Sequence, residues 1–302
     1  MDDIIFTLTD TAGGLEVADW AVSSGELGLK CDTPFEIVKR TLHGGRQEGS
    51  TLVTIRAGRL AVTVIPTRGM GILKASLDGV DFGWASPVDE VVHPSFIRLG
   101  ERNGLGWLEG FNELMVRCGY EWTGHPMVDG DKVYTLHGRA GNTPASKVEV
   151  RISREAPHRI TLCGLIKEKA FKNVEFETFT ELTVVPGDTG FSLDDRLVNR
   201  ADYAHFYEVI YHTNVGRPVL EEGARVIGPF AHVTPFNDAA KRDLSSWDRY
   251  RGPTRDFDEM LYACEIAAGA DGRTEVALIN ASETLGFSVT YHVEEMPAFT
   301  PW

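Results

Sequence analysis

The sequence predicts an all-β protein of packed antiparallel sheets or a barrel, on three observations. Apolar residues recur with a period of two rather than 3.6, the mark of strands with one dry and one wet face. Turn signals, Gly58-Arg59 and Pro186-Gly187-Asp188, separate neighbouring runs. Helical signal is thin, with no strand–helix–strand rhythm, P-loop or glycine fingerprint. Many antiparallel strands in a chain of 302 residues mean packed sheets or a closed barrel.

Taken in order, Leu52 to Ile55 and Leu60 to Ile65 read as the first pair of strands. The stretch from Pro94 to Gly124 breaks the pattern. Its aromatics and glycines, Gly104-Leu105-Gly106-Trp107-Leu108-Glu109-Gly110-Phe111, predict a compact loop with a turn or two of helix at Ser95 to Leu99 and Leu108 to Leu114. Such long loops are usually functional, and this one is expected over or beside the face from which His137 emerges. Lys147 to Ser153 alternates strictly, and Ile160 to Leu162, Thr178 to Val185 and Val209 to His212 are further strands. Asp238 to Tyr250 reads as a surface helix bounded by Pro235 and Gly252-Pro253, and Phe287 to Val293 as a last strand. Without a repeat or a linker, residues 1–302 are expected to form a single domain.

Composition narrows the function classes. Hydrophobic residues at 42% and charged residues at 25% are ordinary for a soluble chain. A formal charge of −14 without a basic cluster argues against nucleic acid and against anionic membrane surfaces. No apolar run reaches membrane-spanning length, and Met1-Asp2-Asp3-Ile4 lacks a basic signal-peptide region, so a cytoplasmic protein is expected. Cys31, Cys118, Cys163 and Cys264 are far apart with no CxxC pair; reduced, mostly buried thiols are expected rather than a zinc ribbon or a disulfide framework.

The chemistry-bearing stretch is Tyr134 to Ala145, which gathers His137, Arg139 and Asn142 around two glycines and a proline. A second histidine, His212, stands in Tyr211-His212-Thr213-Asn214-Val215-Gly216 after an apolar pair. Two imidazoles brought together by the fold could bind a metal, shuttle a proton or hold a polyol. No HxH, HxxxH or HExxH spacing supports a metal, and no Gly-x-Ser-x-Gly elbow supports a serine hydrolase. Arg68 in Pro66-Thr67-Arg68-Gly69-Met70-Gly71 and Arg117 in an apolar run must be paired by a carboxylate or a ligand if buried. Glu208, four residues before His212 in a strand, points to the same face. Asp258 and Glu259 stand at the entrance of another strand, and Glu109 and Glu113 in the compact loop.

The chain resembles the aldose 1-epimerase (galactose mutarotase-like) superfamily, in its divergent branch known as domain of unknown function 4432. The resemblance is carried in order by Ile65 to Gly71, His93 to Phe96, Gly104 to Phe111, Glu113 to Gly119, Leu136-His137-Gly138-Arg139 with Asn142 and Pro144-Ala145, Tyr211 to Gly216, and Phe257 to Tyr262. It implies a large antiparallel β-sandwich, the supersandwich, with a sugar in a cleft on its concave face. It also implies anomer interconversion by general acid and base, with no metal or organic cofactor. A small-molecule sugar is then the expected partner, and the protein a monomer or homodimer.

By the same resemblance His212 is the general acid, His137 the sugar-contacting histidine, Arg117 the arginine on ring hydroxyls, and Glu259 or Asp258 the acid opposite. Arg68, Arg139 and Asn214 belong to motifs of this branch and are assigned to binding. The family's general base is a glutamate near the C-terminus, beyond the segment that Pro297 to Trp302 resembles. Either the chain is a fragment, short of its last strands, or the base comes from elsewhere, with Glu208 the leading substitute. A carbohydrate-binding protein without the proton chemistry is the alternative that this departure motivates. A domain accessory to a lyase or hydrolase is a third reading, disfavoured because no linker or partner domain is visible.

Overall fold

The computed structural model describes residues 3–302, and strand dominates it. The chain divides into two units, one ending at Asn214 and the other spanning Val215–Trp302. Among the described residues no helix is long and apolar enough to cross a membrane.

The first unit is an antiparallel β-sandwich, as expected for the supersandwich class. One layer is an eight-stranded sheet in the order Glu208–Thr213, Met115–Tyr120, Gly71–Leu77, Leu60–Ile65, Thr51–Ala57, Phe35–Thr41 and Trp20–Ser23, with Val80–Phe82 also paired to Gly71–Leu77. The other is a six-stranded sheet in the order Phe191–Asn199, Glu175–Val184, Ile160–Lys169, Ala145–Ile152, Ile4–Asp10 and Leu15–Glu16.

Alternation in the sequence becomes alternation in burial. Val148, Val150 and Ile152 are buried, while Lys147, Glu149 and Arg151 lie on the other face and form ion pairs there. Val53, Ile55, Val62 and Val64 do the same from the eight-stranded layer. Each such side chain stabilises the fold by about 1.5–3 kcal/mol.

The strand Met115–Tyr120 is buried at every position. One face meets the six-stranded sheet and the other lies under the loop layer, so its sequence carries no period of two. Gly164 stands where the sheets approach closely: a Cβ there would lie 2.6 Å from Met70 Cγ.

In the second unit Arg225–Ile227, Arg273–Ile279 and Gly286–His292 form a three-stranded sheet, and Phe230–Pro235 pairs with Tyr262–Ile266. Ala240, Tyr262 and Cys264 pack there with Phe230, Trp247 and Phe299. The helix expected over Asp238 to Tyr250 covers only Asp238–Asp243, followed by a 3-10 turn at Leu244–Ser246. Asn237 caps its start by accepting from Ala240 N–H at 2.8 Å. The Ser246 hydroxyl donates to the Asp243 carbonyl and carboxylate at 3.3 and 3.0 Å, local bonds that compete with another helical turn. The four cysteines are unpaired, and Cys118, Cys163 and Cys264 are buried.

Candidate active site

The outer face of the eight-stranded sheet, under the loops of residues 94–142, brings His137 and His212 together. Their ring centroids lie 5.3 Å apart with planes inclined at 69°. Trp107 meets His137 edge-on at 4.7 Å, and Phe111 meets His212 edge-on at 5.2 Å. Both aromatics are buried with Val116, Cys118 and Leu136. The compact aromatic stretch thus forms the wall behind the imidazoles.

Local sequence explains the placement of each histidine. His212 alternates outward along Glu208–Thr213, opposite Val116 on the neighbouring strand, while Tyr211 alternates inward opposite Arg117. His137 has φ 58° and Gly138 φ 69°, two successive left-handed residues that turn the chain sharply. Such a conformation costs a non-glycine residue about 1–3 kcal/mol and persists where surroundings over-determine it. Here the His137 N–H donates to the Gly124 carbonyl at 3.0 Å, and the His137 carbonyl accepts from Gly119 N–H at 3.0 Å. Gly138 is required for space as well: a Cβ there would stand 2.2 Å from the Trp122 carbonyl oxygen and 2.6 Å from that of Gly119.

The His137 Nδ1 lies 2.8 Å from the Thr123 carbonyl oxygen. A carbonyl only accepts, so Nδ1 carries a proton and Nε2 is the ring atom left to exchange one with a ligand. The Thr123 N–H and hydroxyl both donate to Glu208 Oε2, at 3.0 and 2.9 Å. Glu208, Thr123 and His137 therefore form a continuous hydrogen-bonded series.

Burial sets the charge of the pair. It pushes His212 down to about 4, aided by His137 and opposed by a hydrogen bond that the ring donates to the Asn214 side chain. His137 is also lowered by burial, against the favourable Thr123 carbonyl and together with nearby His125. Two imidazoles this close disfavour double protonation.

The arginines are placed differently from the histidines. Arg117 is fully buried and spans the two sheets: Nε donates to Asp195 at 2.5 Å, one terminal nitrogen to Asp195 and Thr180 at 2.9 and 2.7 Å, and the other to the Gly69 and Met70 carbonyls at 3.1 and 2.9 Å. All five of its N–H donors are used inside the protein. Arg68 is likewise fully buried, pairing with Glu113 at 2.6 Å and donating to the Gly110 carbonyl. Asn214 donates to the Glu113 and His212 carbonyls at 3.0 and 3.2 Å, closing the end of the His212 strand. Arg139 is exposed, and its main chain holds the His137 loop by donating to the Gly119 carbonyl and accepting from Asn142 N–H, both at 2.9 Å.

Asp258 and Glu259 belong to the second unit. There Asp258 lies 3.8 Å from Arg242, and the Glu259 carbonyl accepts from the Asn237 side chain at 2.6 Å. Among the described residues no group of three or more His, Cys, Asp or Glu is set to hold a metal ion. Sequence reasoning missed Thr123 and Asp195. Neither has a local signature: one is a threonine in an irregular loop, the other an acid on an alternating strand.

Residues 47–302 match the family described as domain of unknown function DUF4432, and the chain belongs to that family. The crystal structure of a candidate aldose 1-epimerase from Klebsiella pneumoniae is similar, with 48% identity, a TM-score of 0.96, and coverage of 99% of this chain and 78% of that one. A galactose mutarotase-like protein from Clostridium acetobutylicum is similar at 11% identity and a TM-score of 0.45, covering 86% of this chain and 97% of its own. No curated protein matches the chain.

Proposed function

We propose that the protein is an aldose 1-epimerase, interconverting the α and β anomers of a free sugar by general acid–base ring opening. The observation that carries this reading is the His137–His212 pair, 5.3 Å apart against an aromatic wall. The likeness to the Klebsiella pneumoniae candidate epimerase supports it.

Mutarotation needs one group to take the proton of the anomeric hydroxyl while another protonates the ring oxygen. The C1–O5 bond breaks, C1–C2 rotates, and the ring recloses with both proton transfers reversed. The electrostatics favour His137 over His212 as the proton donor. Charging His212 at neutral pH costs about 4 kcal/mol, given a pKa of about 4. Burial lowers His137 too, but less far than His212, and the hydrogen bond to the Thr123 carbonyl opposes that shift. Protonated His137 then gives its Nε2 proton to the ring oxygen, and neutral His212 receives the proton from the anomeric hydroxyl. This reverses the assignment that the family resemblance suggests for His212.

Glu208 fits poorly as the base opposite His212. Four strand residues separate the two by about 13 Å, too far to flank one anomeric carbon.

The test is saturation-transfer NMR of anomer exchange over a panel of aldopentoses and aldohexoses, with the wild type, His137→Ala and His212→Ala. Acceleration by the wild type that both substitutions lower at least tenfold is expected. Exchange at the buffer rate with every aldose refutes the reading. The low pKa of His212 favours one alternative, a sugar-binding protein without proton transfer. Saturable sugar binding with unaccelerated exchange would select that alternative.

A further inference from the structure

We propose that Glu208 and Thr123 form a positioning unit that fixes the tautomer and orientation of His137, with the Glu208 carboxylate taking no proton from substrate. The inference rests on the epimerase reading for its catalytic consequence, and on geometry alone for its structural one.

Three observations carry it. Glu208 Oε2 accepts from both the N–H and the hydroxyl of Thr123, so one oxygen holds that residue at two points. The carbonyl of Thr123 in turn lies 2.8 Å from His137 Nδ1, which must therefore carry hydrogen. Glu208 and His212 share one outward face of a strand, but their four-residue spacing places Glu208 beside the Thr123 loop and His212 beside the aromatic wall.

The physical logic is that of any hydrogen-bonded support behind a catalytic imidazole. A free histidine distributes its proton between two nitrogens and rotates about its side-chain bonds. A fixed carbonyl at Nδ1 removes both freedoms and leaves Nε2 as the reacting atom. The Thr123 carbonyl can do this only if its residue is held in place, and the surrounding loop has no regular ladder to hold it. Glu208 supplies that hold from the rigid sheet beneath.

The experiment compares Glu208→Gln, Glu208→Ala and Thr123→Val with the wild type, using two readouts. The first is the 15N NMR tautomer state of His137 without sugar. The second is the anomer-exchange rate with the aldose that the wild type accelerates most. A glutamine carbonyl can still accept from Thr123, so Glu208→Gln is expected to keep the Nδ1–H tautomer and lose only a few-fold in rate. Glu208→Ala is expected to mix the tautomers and lose about 10- to 100-fold, the scale of a displacement near 1 Å. Thr123→Val keeps the carbonyl and one of the two bonds to Glu208, and should fall between them.

A Glu208→Gln variant as slow as Glu208→Ala would overturn the proposal, because the carboxylate would then be doing chemistry. So would a Glu208→Ala variant whose His137 tautomer is unmixed. If the wild type accelerates no aldose, the epimerase reading falls, and the tautomer comparison decides this inference by itself.

Discussion

Replacing Asp195 with alanine tests whether Arg117 works inside the protein or on a ligand. In the wild type Asp195 accepts from Arg117 at 2.5 and 2.9 Å and from the Tyr211 hydroxyl at 2.8 Å. Its loss leaves a fully buried guanidinium with only the Gly69 and Met70 carbonyls and the Thr180 hydroxyl as partners. Stranding one member of a buried pair costs about 3–5 kcal/mol. For a unit of this size that corresponds to a fall of roughly 10 °C in melting temperature.

The pH dependence adds a second signature. Burial raises the Asp195 carboxyl, but the Arg117 charge and the bonds from Arg117, Thr180 and Tyr211 outweigh it, so its pKa lies below the ordinary value. A depressed folded-state pKa contributes stability above the unfolded value near 4 and loses it as pH falls through the folded one. Urea unfolding at pH 7 and at pH 3 should therefore show a large gap between wild type and Asp195→Ala at pH 7, narrowing at pH 3. A variant within about 1 kcal/mol of wild type at pH 7 would refute the internal clamp. A double replacement, Arg117→Met with Asp195→Leu, should recover much of the loss, because it removes both charges together.

His212→Phe should flatten the stability profile between about pH 6.5 and 4. The folded pKa of about 4 lies below the unfolded value, so His212 destabilises the fold as pH falls through that window, by at most about 3 kcal/mol, measurable in urea melts at both ends. Gly138→Ala should displace His137, because its Cβ would meet two main-chain oxygens at 2.2 and 2.6 Å in a left-handed conformation. A loss of about 1–3 kcal/mol and a changed His137 imidazole signal in NMR are expected. Trp107→Ala should cost about 3–5 kcal/mol in a thermal or urea melt and slow anomer exchange, because it removes the wall on which His137 rests.

What was legible in the sequence follows physical range. Strands with one wet face announce themselves: the run from Lys147 falls in the strand Ala145–Ile152, and Leu60 to Ile65 is a strand in the structure. Met115–Tyr120 does not, because burial on both faces erases the period of two. The need of Arg68 and Arg117 for partners could be argued from their apolar surroundings, but the partners themselves could not be read. Glu113, only four residues from Arg117, pairs with Arg68 instead, and Arg117 takes Asp195 from 78 residues away. The two histidines were visible as polar residues at strand ends. Thr123, which links one of them to Glu208, acts through its main chain as much as its side chain, and main-chain groups are the same in every residue.

The two strands at the site divide their work by parity. Along Glu208–Thr213 and Met115–Tyr120, Tyr211 and Arg117 face the six-stranded sheet, where Asp195 receives both. His212 and Val116 face the other way, under Trp107 and Phe111. A slip of one residue in this pairing would exchange the faces, burying an imidazole between the sheets and turning a guanidinium into the aromatic wall. The Arg117–Asp195 clamp makes that slip costly, because a mispaired register strands a buried charge on each sheet. Its internal bonds act on the site through the fold: they favour the register that aims His212 outward beside His137. The arginine and the histidine should accordingly separate in experiment, substitutions at Arg117 or Asp195 lowering unfolding stability and those at His212 lowering anomer exchange at little cost in stability at neutral pH.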